Sequence, residues 1–194
     1  MSGLPVARLF GFEIRLHLSW VVILAVVTLV VATQLVVPEP GWASWVPWAI
    51  GAASAAGLLG SILVHELAHG LVARRRGITT SGLTLYFFGG SASLELEADR
   101  PGDEAAIAIA GPLASLGLAV AAVVVAQAAT AVGPLLGPVA DTALVLAGLN
   151  ALVGLMNLVP AYPFDGGRVV RAVAWARTGD EATGSRVAGI AGRA

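Results

Sequence analysis

Three residues in the segment HELAH have the types and spacing of a metal-dependent hydrolytic site: His65, Glu66 and His69. Side chains four residues apart on an α-helix share one face, so both imidazoles can reach one cation. The neighbouring carboxylate of Glu66 can accept a proton from a water molecule that the cation activates. The pattern predicts metal-assisted hydrolysis with Glu66 as the general base.

The alternative interpretation of HELAH is an ordinary helix whose polar side chains reach the membrane surface, since short motifs also arise by chance. The flanking sequence is strongly apolar. Two imidazoles and a carboxylate buried there cost several kcal/mol unless a partner compensates them. One cation compensates all three groups, which favours the metal site.

A catalytic zinc ion usually takes a third protein ligand and keeps one position open for water. The chain contains no cysteine, so this ligand is a histidine or a carboxylate. Asp165 is favoured because it follows NLVPAYPFDGG, where prolines break an apolar helix and irregular backbone implies a buried or water-lined position. Its other possible role is to cap the next helix. The remaining candidates are His17, Glu95, Glu97, Asp99 and Asp103.

The elements that position these residues are predicted to lie in a membrane. The chain has 194 residues, of which 57% are hydrophobic and 12% are charged, and a soluble domain of this size does not need so apolar a composition. The net charge of −1 gives no indication of a nucleic-acid partner. Four stretches are apolar and long enough to predict membrane spans: residues 17–37, 48–72, 105–132 and 142–159.

The segment from Ile78 to Glu97 has a different pattern, with β-branched and aromatic residues around Gly89 and Gly90. It predicts a hairpin or a re-entrant sheet, to which the alternating N-terminal LFGFEIRLHL would add an edge strand. The tail after Asp165 is too polar to span and predicts an interfacial helix. The predicted fold class is an all-α polytopic membrane protein with about four transmembrane helices and a small membrane-associated β hairpin or sheet.

The basic residues predict the orientation of this fold. All eleven are arginines, and with four spans every one falls on the same side of the membrane. The positive-inside rule assigns that side to the cytoplasm, which places the end of HELAH and Asp165 near the cytoplasmic face. The N-terminus lacks the pattern of a cleaved secretory signal, so the first apolar stretch is expected to remain as an anchor.

Two asparagines in the last predicted span, Asn150 and Asn157, are seven residues apart and share a helix face. Both are candidates for hydrogen bonds between helices. Asn157 is the more interesting of the two because it lies beside the proline break.

These features together resemble the site-2 protease family of intramembrane zinc metalloproteases. The resemblance rests on HELAHG at 65–70, FGG at 88–90, AGPLASL at 110–116 and NLVPAYPFDGGR at 157–168, and extends over about residues 8–175. It implies one Zn²⁺ bound by His65, His69 and Asp165, with Glu66 as the general base. It further implies that Asn157 holds the substrate strand or the oxyanion, and that the stretch around Gly89 and Gly90 pairs with unwound substrate.

The resemblance also implies a substrate class and a domain organisation. Family members cleave transmembrane helices of other membrane proteins, which in bacteria are often anti-sigma factors, so the cell membrane of a bacterium is the expected location. Residues 1–194 are expected to form a single membrane-embedded metalloprotease core that lacks later spans of the family. A non-catalytic adaptor is disfavoured because the predicted base and ligands are all present. A metal transporter is disfavoured because the first and third spans are almost entirely apolar.

Overall fold

The computed structural model describes residues 3–78, 82–86, 89–92 and 98–191, with side chains described for 3–78 and 98–189. The described elements are β1 Leu4–Leu9, β2 Phe12–Leu16, α1 Ser19–Val30 with a π-helical continuation Val31–Leu35, α2 Val46–Arg75, β3 Gly82–Tyr86, β4 Gly89–Ala92, α3 Pro101–Val132, a 3₁₀ turn Pro134–Leu136, α4 Gly137–Asn157, α5 Asp165–Thr178 and α6 Glu181–Ala191. The predicted helical fold with a small sheet is confirmed.

In the part of the chain that the structure describes, three helical segments are long and apolar enough to cross a membrane: Val46–Arg75, Pro101–Val132 and Pro134–Asn157. They correspond to the second, third and fourth predicted spans. The first predicted span is shorter than expected, because its helix covers only Ser19–Leu35. About 20 residues are needed to cross a typical bilayer core, so this helix falls slightly below that length.

Small residues in α2 allow its close packing against two neighbouring helices. A Cβ added at Gly51 would lie 2.5 Å from the carbonyl oxygen of Thr28 in α1, and one added at Gly57 would lie 2.8 Å from Leu146 in α4. Small residues at such positions are how apolar helices approach one another in a membrane, where no hydrophobic force drives them together. The small residues in GAASAAG therefore mark the contacts of α2.

The four described strands form one sheet in the order β1-β2-β3-β4. β3 and β4 form the predicted antiparallel hairpin, and β2 pairs with β3 in parallel, with Glu13 opposite Gly82. The N-terminal segment differs from the prediction, because it contributes two strands and β2 is an inner strand rather than an edge. The reason is packing: Phe12 and Ile14 of β2 are buried against Leu67 of α2, so β2 is held between the helix and β3.

The arginine-containing end of α2 lies beside the beginning of α3. α2 ends at Arg75, and Gly77 follows with a φ of +79°, a left-handed conformation that glycine adopts readily at the end of a helix. Arg76 forms an ion pair with Asp103 in the first turn of α3.

Helix α4 ends at Asn157. The tail that follows forms two helices, α5 and α6, instead of the single predicted one.

Candidate metal centre

The segment HELAH lies in the last third of α2, and its three chemically important side chains are buried. His65 is 3% exposed, Glu66 is 7% exposed and His69 is 4% exposed. The two imidazole rings, one helical turn apart, have centroids 4.8 Å from each other and are nearly perpendicular. The predicted helical placement of this pair is present in the structure.

Asp165 meets this pair although it lies 100 residues beyond His65 in the sequence. Its Oδ2 is 3.2 Å from Nε2 of His65 and 3.2 Å from Nε2 of His69. The two Nε2 atoms are 3.1 Å apart. Three potential ligand atoms therefore form an almost equilateral triangle.

The size of this triangle fits a tetrahedral metal ion. Zinc bonds of about 2.0–2.1 Å to nitrogen and oxygen place neighbouring ligand atoms of a tetrahedron about 3.3 Å apart. The measured edges of 3.1–3.2 Å are close to that separation. Among the residues that the structure describes, this is the one group of three or more metal-binding side chains.

The hydrogen bonds on the far side of each ring indicate which nitrogen faces the centre. Nδ1 of His69 lies 2.7 Å from the carbonyl oxygen of Ile107, which can only accept, so Nδ1 carries the proton. A neutral ring then presents a lone pair at Nε2. Nδ1 of His65 is 2.9 Å from Oγ of Ser115, which can hold the second ring in the same tautomer. Two lone pairs and a carboxylate oxygen converge, an arrangement that a cation stabilises.

Helix α3 supplies the surroundings of both imidazoles, and the sequence reasoning did not identify these residues. Ile107, Gly111 and Ser115 are spaced by four residues on one face of α3 and all contact the histidines. A Cβ at Gly111 would lie 2.2 Å from Nε2 of His69, so only glycine fits there. The segment AGPLASL supported the resemblance and contains Gly111 and Ser115. The four-residue spacing of these two residues was the signal that could have revealed their contacts with the histidines.

Asp165 is the first residue of α5, directly after the loop that contains Pro160 and Pro163. Burial by itself raises the pKa of Asp165, but hydrogen bonds from His65 and His69, which form when these rings carry a proton on Nε2, outweigh this effect and lower the pKa well below its usual range. The side chain is therefore a carboxylate at neutral pH. The alternative capping role is not observed, because Phe164 occupies the N-cap position and no side chain caps the helix; Asp165 only places a negative charge in the first turn.

The asparagines of α4 have different surroundings. Asn150 is buried and donates from Nδ2 to Oγ of Ser61 in α2, which fits the predicted hydrogen bond between helices. Asn157 ends α4, is half-buried and donates from Nδ2 to the carbonyl of Val153 in its own helix. Its role toward a substrate stays a prediction.

The glycine pair Gly89 and Gly90 begins β4, opposite Tyr86 and Leu85 of β3. β4 is an edge of the described sheet. An edge strand is the part of a sheet where an additional extended chain can pair, and the side-chain surroundings of this strand lie outside the described part.

Of the other ligand candidates, His17, Asp99 and Asp103 lie in the described part of the chain, and none of these three joins the group of His65, His69 and Asp165. Nδ1 of His17 accepts a hydrogen bond from the backbone N–H of Ser19 at the start of α1. Asp103 pairs with Arg76. Glu95 and Glu97 lie outside the described residues.

Comparison with known proteins gives one consistent family. The sequence model described as Peptidase family M50 matches residues 53–135 and 133–192. "Putative zinc metalloprotease Rip3" of Mycobacterium tuberculosis is 43% identical over 99% of this chain and 49% of its own length. "Putative zinc metalloprotease sll0528" of Synechocystis is 37% identical over the same shares of both chains. The chain thus spans about half the length of these relatives.

A solved structure agrees with the sequence matches. "Site-2 Protease from Methanocaldococcus jannaschii" is 25% identical, with a TM-score of 0.63 over 91% of this chain and 74% of that one. The fold and the sequence therefore point to the same group of proteins.

Proposed function

This chain belongs to peptidase family M50, and we propose that it is the catalytic core of a zinc metalloprotease that hydrolyses peptide bonds within a membrane. The family and the three apolar helices make it an integral membrane protein. The proposal of peptide hydrolysis within the membrane rests on the buried metal centre, because its histidines and carboxylates lie among helices long enough to cross the bilayer.

The observation that carries the proposal is the triangle formed by Nε2 of His65, Nε2 of His69 and Oδ2 of Asp165. We assign these three atoms as the ligands of one Zn²⁺, which leaves a fourth position for water or substrate. When bound there, the ion supplies Lewis acidity that polarises a peptide carbonyl and acidifies water. The ring protons held by Ser115 and Ile107 keep both Nε2 atoms available to it.

Glu66 is proposed as the general base. It follows His65 directly in α2 and is buried beside the metal ligands, although its carboxylate is not one of the three converging atoms. It accepts the proton of the attacking water and can later transfer that proton to the departing amine. The same carboxylate then serves as base and as acid in one turnover.

Substrate recognition is proposed to involve Asn157 and the strand that begins with Gly89 and Gly90. The edge of β4 can pair with an extended peptide, and glycines let that peptide approach closely. A primary amide carries two N–H donors, and the bond to Val153 uses one of them. The second N–H of Asn157 is suited to a substrate carbonyl or a developing oxyanion.

We propose transmembrane helices of other membrane proteins, such as an anti-sigma factor, as substrates, with the lipid bilayer as the surroundings and no nucleic-acid partner. A transmembrane helix hides its carbonyl groups in internal hydrogen bonds, so it must unwind to pair with β4. The arginines on one side of the predicted spans support the proposal that the centre lies toward the cytoplasmic face of a bacterial cell membrane.

The decisive experiment incubates purified full-length protein with a helical membrane substrate, with and without a chelator, and then restores zinc. Cleavage is expected to stop with the chelator and to return with the metal. Glu66→Gln is expected to bind zinc with unchanged stoichiometry while cleavage falls by about 10²–10⁴-fold, the usual contribution of a general base. Cleavage at the normal rate by this variant would remove Glu66 from the mechanism.

A matched measurement separates this proposal from its competitors. A non-catalytic adaptor would bind the substrate with no turnover under any metal condition. A transporter would carry zinc into sealed vesicles, and Glu66→Gln would leave that uptake unchanged. Either result, obtained with protein that contains zinc, contradicts the proposed protease.

A further inference from the structure

A buried ion pair joins α3 to α5 close to the metal centre. Glu104, in the first turn of α3, has no exposed surface. Its Oε1 accepts a hydrogen bond from Nε of Arg171 at 2.6 Å, and Nη2 of the same guanidinium lies 2.5 Å from this oxygen. Nε of Arg168 is 4.0 Å from the same oxygen. A carboxylate buried this deeply costs several kcal/mol unless it is paired, and the contacts with arginine offset that cost.

The pair lies on the two helices that complete the metal centre. Glu104 precedes Ile107 by less than one turn of α3, and the carbonyl of Ile107 binds His69. Arg171 follows Asp165 in α5, about 9 Å further along the helix axis at 1.5 Å per residue. The first half of α3 and the first residue of α5 thus reach the histidines, while Glu104 and Arg171 connect the two helices directly.

Helix α5 packs chiefly against α3 and α6, and Ala172 is its buried apolar side chain beyond the initial glycines. Its first turn also lies close to the loop before it, because a Cβ added at Gly166 would be 2.3 Å from the carbonyl oxygen of Val159. Small apolar contacts tolerate sliding, whereas charged hydrogen bonds have a defined length and direction. Arg171 also reaches Glu181 of α6 through Nη1, at 3.4 Å, so the guanidinium links three helices.

We propose that Glu104 and Arg171 are positioning residues whose ion pair sets Asp165 at the correct distance from His65 and His69. This inference rests on the proposed metal centre, and it concerns two residues that are not themselves metal ligands. A displacement of about 1 Å is enough to impair a site of this kind. Glu104 has the larger effect of the two, because it also lies near Arg168.

The absence of cysteine allows a direct test of this positioning. Cysteines introduced at Leu113 in α3 and Val173 in α5, both exposed, are labelled with nitroxides in full-length protein in lipid nanodiscs. Pulsed electron paramagnetic resonance then measures the distance between the labels. Glu104→Gln and Arg171→Gln are each expected to broaden or shift this distance distribution.

Zinc affinity provides the second readout, measured by competition with a chromogenic chelator and independent of cleavage. Each single variant is expected to bind zinc about 10–100-fold more weakly, the usual effect of losing an outer partner of a metal site. The double variant is expected to be little weaker than Glu104→Gln alone, because both substitutions remove one interaction. Arg171→Lys, which keeps the charge, is expected to recover part of the affinity.

Arg177→Gln is the matched control, since Arg177 is an exposed arginine in the last turn of the same helix. It is expected to leave both the distance and the affinity unchanged. If a single variant does not fold, Glu104→Met with Arg171→Met removes the pair without leaving a buried charge. This double replacement is expected to fold and to bind zinc weakly.

Unchanged distances together with unchanged zinc affinity in the Gln variants would overturn the inference, as would full affinity in the double Met variant. Failure of the proposed function looks different. Wild-type protein would then bind no zinc, or would bind zinc and cleave nothing. In both cases the distance measurement still decides whether the ion pair positions α5.

Discussion

Gly111 of α3 lies in direct contact with His69 of α2, so that a methyl group at this glycine would be 2.2 Å from Nε2 of the imidazole. The same methyl group would be 2.5 Å from Nε2 of His65. The backbone of one apolar helix therefore forms a wall of the metal centre. The shape of this centre depends on the absence of a side chain in α3 as well as on the polar side chains in α2.

The first prediction concerns Gly111→Ala. The added methyl group must displace one or both imidazoles, so we expect zinc affinity to fall by at least about 10-fold and cleavage to fall with it. Gly117→Ala on the same helix is the control, since a Cβ there meets no atom within 4 Å. Equal zinc affinity in the two variants, measured by chelator competition, would contradict the close contact.

The second prediction concerns Ser115, the partner of His65 Nδ1. Ser115→Ala removes the group that holds this ring and its tautomer, and we expect about 10–100-fold weaker zinc binding. The matched control is Ser54→Ala, another fully buried serine, in α2. Zinc titration of both variants measures and compares their zinc affinities. An equal loss in the control would show that any buried serine has this effect.

The third prediction concerns the coupling of metal binding to stability. A ligand that binds only the folded protein at 100 times its Kd stabilises that protein by about 2.7 kcal/mol. We therefore expect zinc to raise the thermal unfolding temperature of the wild-type protein. Asp165→Asn removes the negative charge from the triangle, and we expect most of the zinc-induced rise in unfolding temperature to be lost in this variant. A full shift in that variant would exclude Asp165 as a ligand.

The fourth prediction concerns helix packing away from the centre. Gly51→Ala places a methyl group 2.5 Å from the backbone carbonyl oxygen of Thr28, which cannot move aside as a flexible side chain can. Overpacking of this kind costs about 1–3 kcal/mol. Gly60→Ala in the same helix meets nothing within 4 Å and is the control. Thermal unfolding in detergent or nanodiscs should show a lower unfolding temperature for Gly51→Ala alone.

The local features of this protein could be predicted from its sequence, because short-range geometry determines them. A four-residue spacing places His65 and His69 on one face of any helix, and long apolar runs require a membrane or a large core. The prolines before Asp165 end a helix wherever that helix lies. The hairpin at β3 and β4 has a similarly local origin in its alternating residues and its glycine pair.

The tertiary structure decided which distant residues meet, and periodicity within one segment contains no such information. Several carboxylates were open as the third ligand, and the packing of α5 on α3 brings Asp165 to within 3.2 Å of both imidazoles. The contact of Gly111 with the rings and the pairing of Glu104 with Arg171 depend on how apolar helices pack together. Many arrangements bury the same apolar surface, so only the assembled helices determine which polar groups become neighbours.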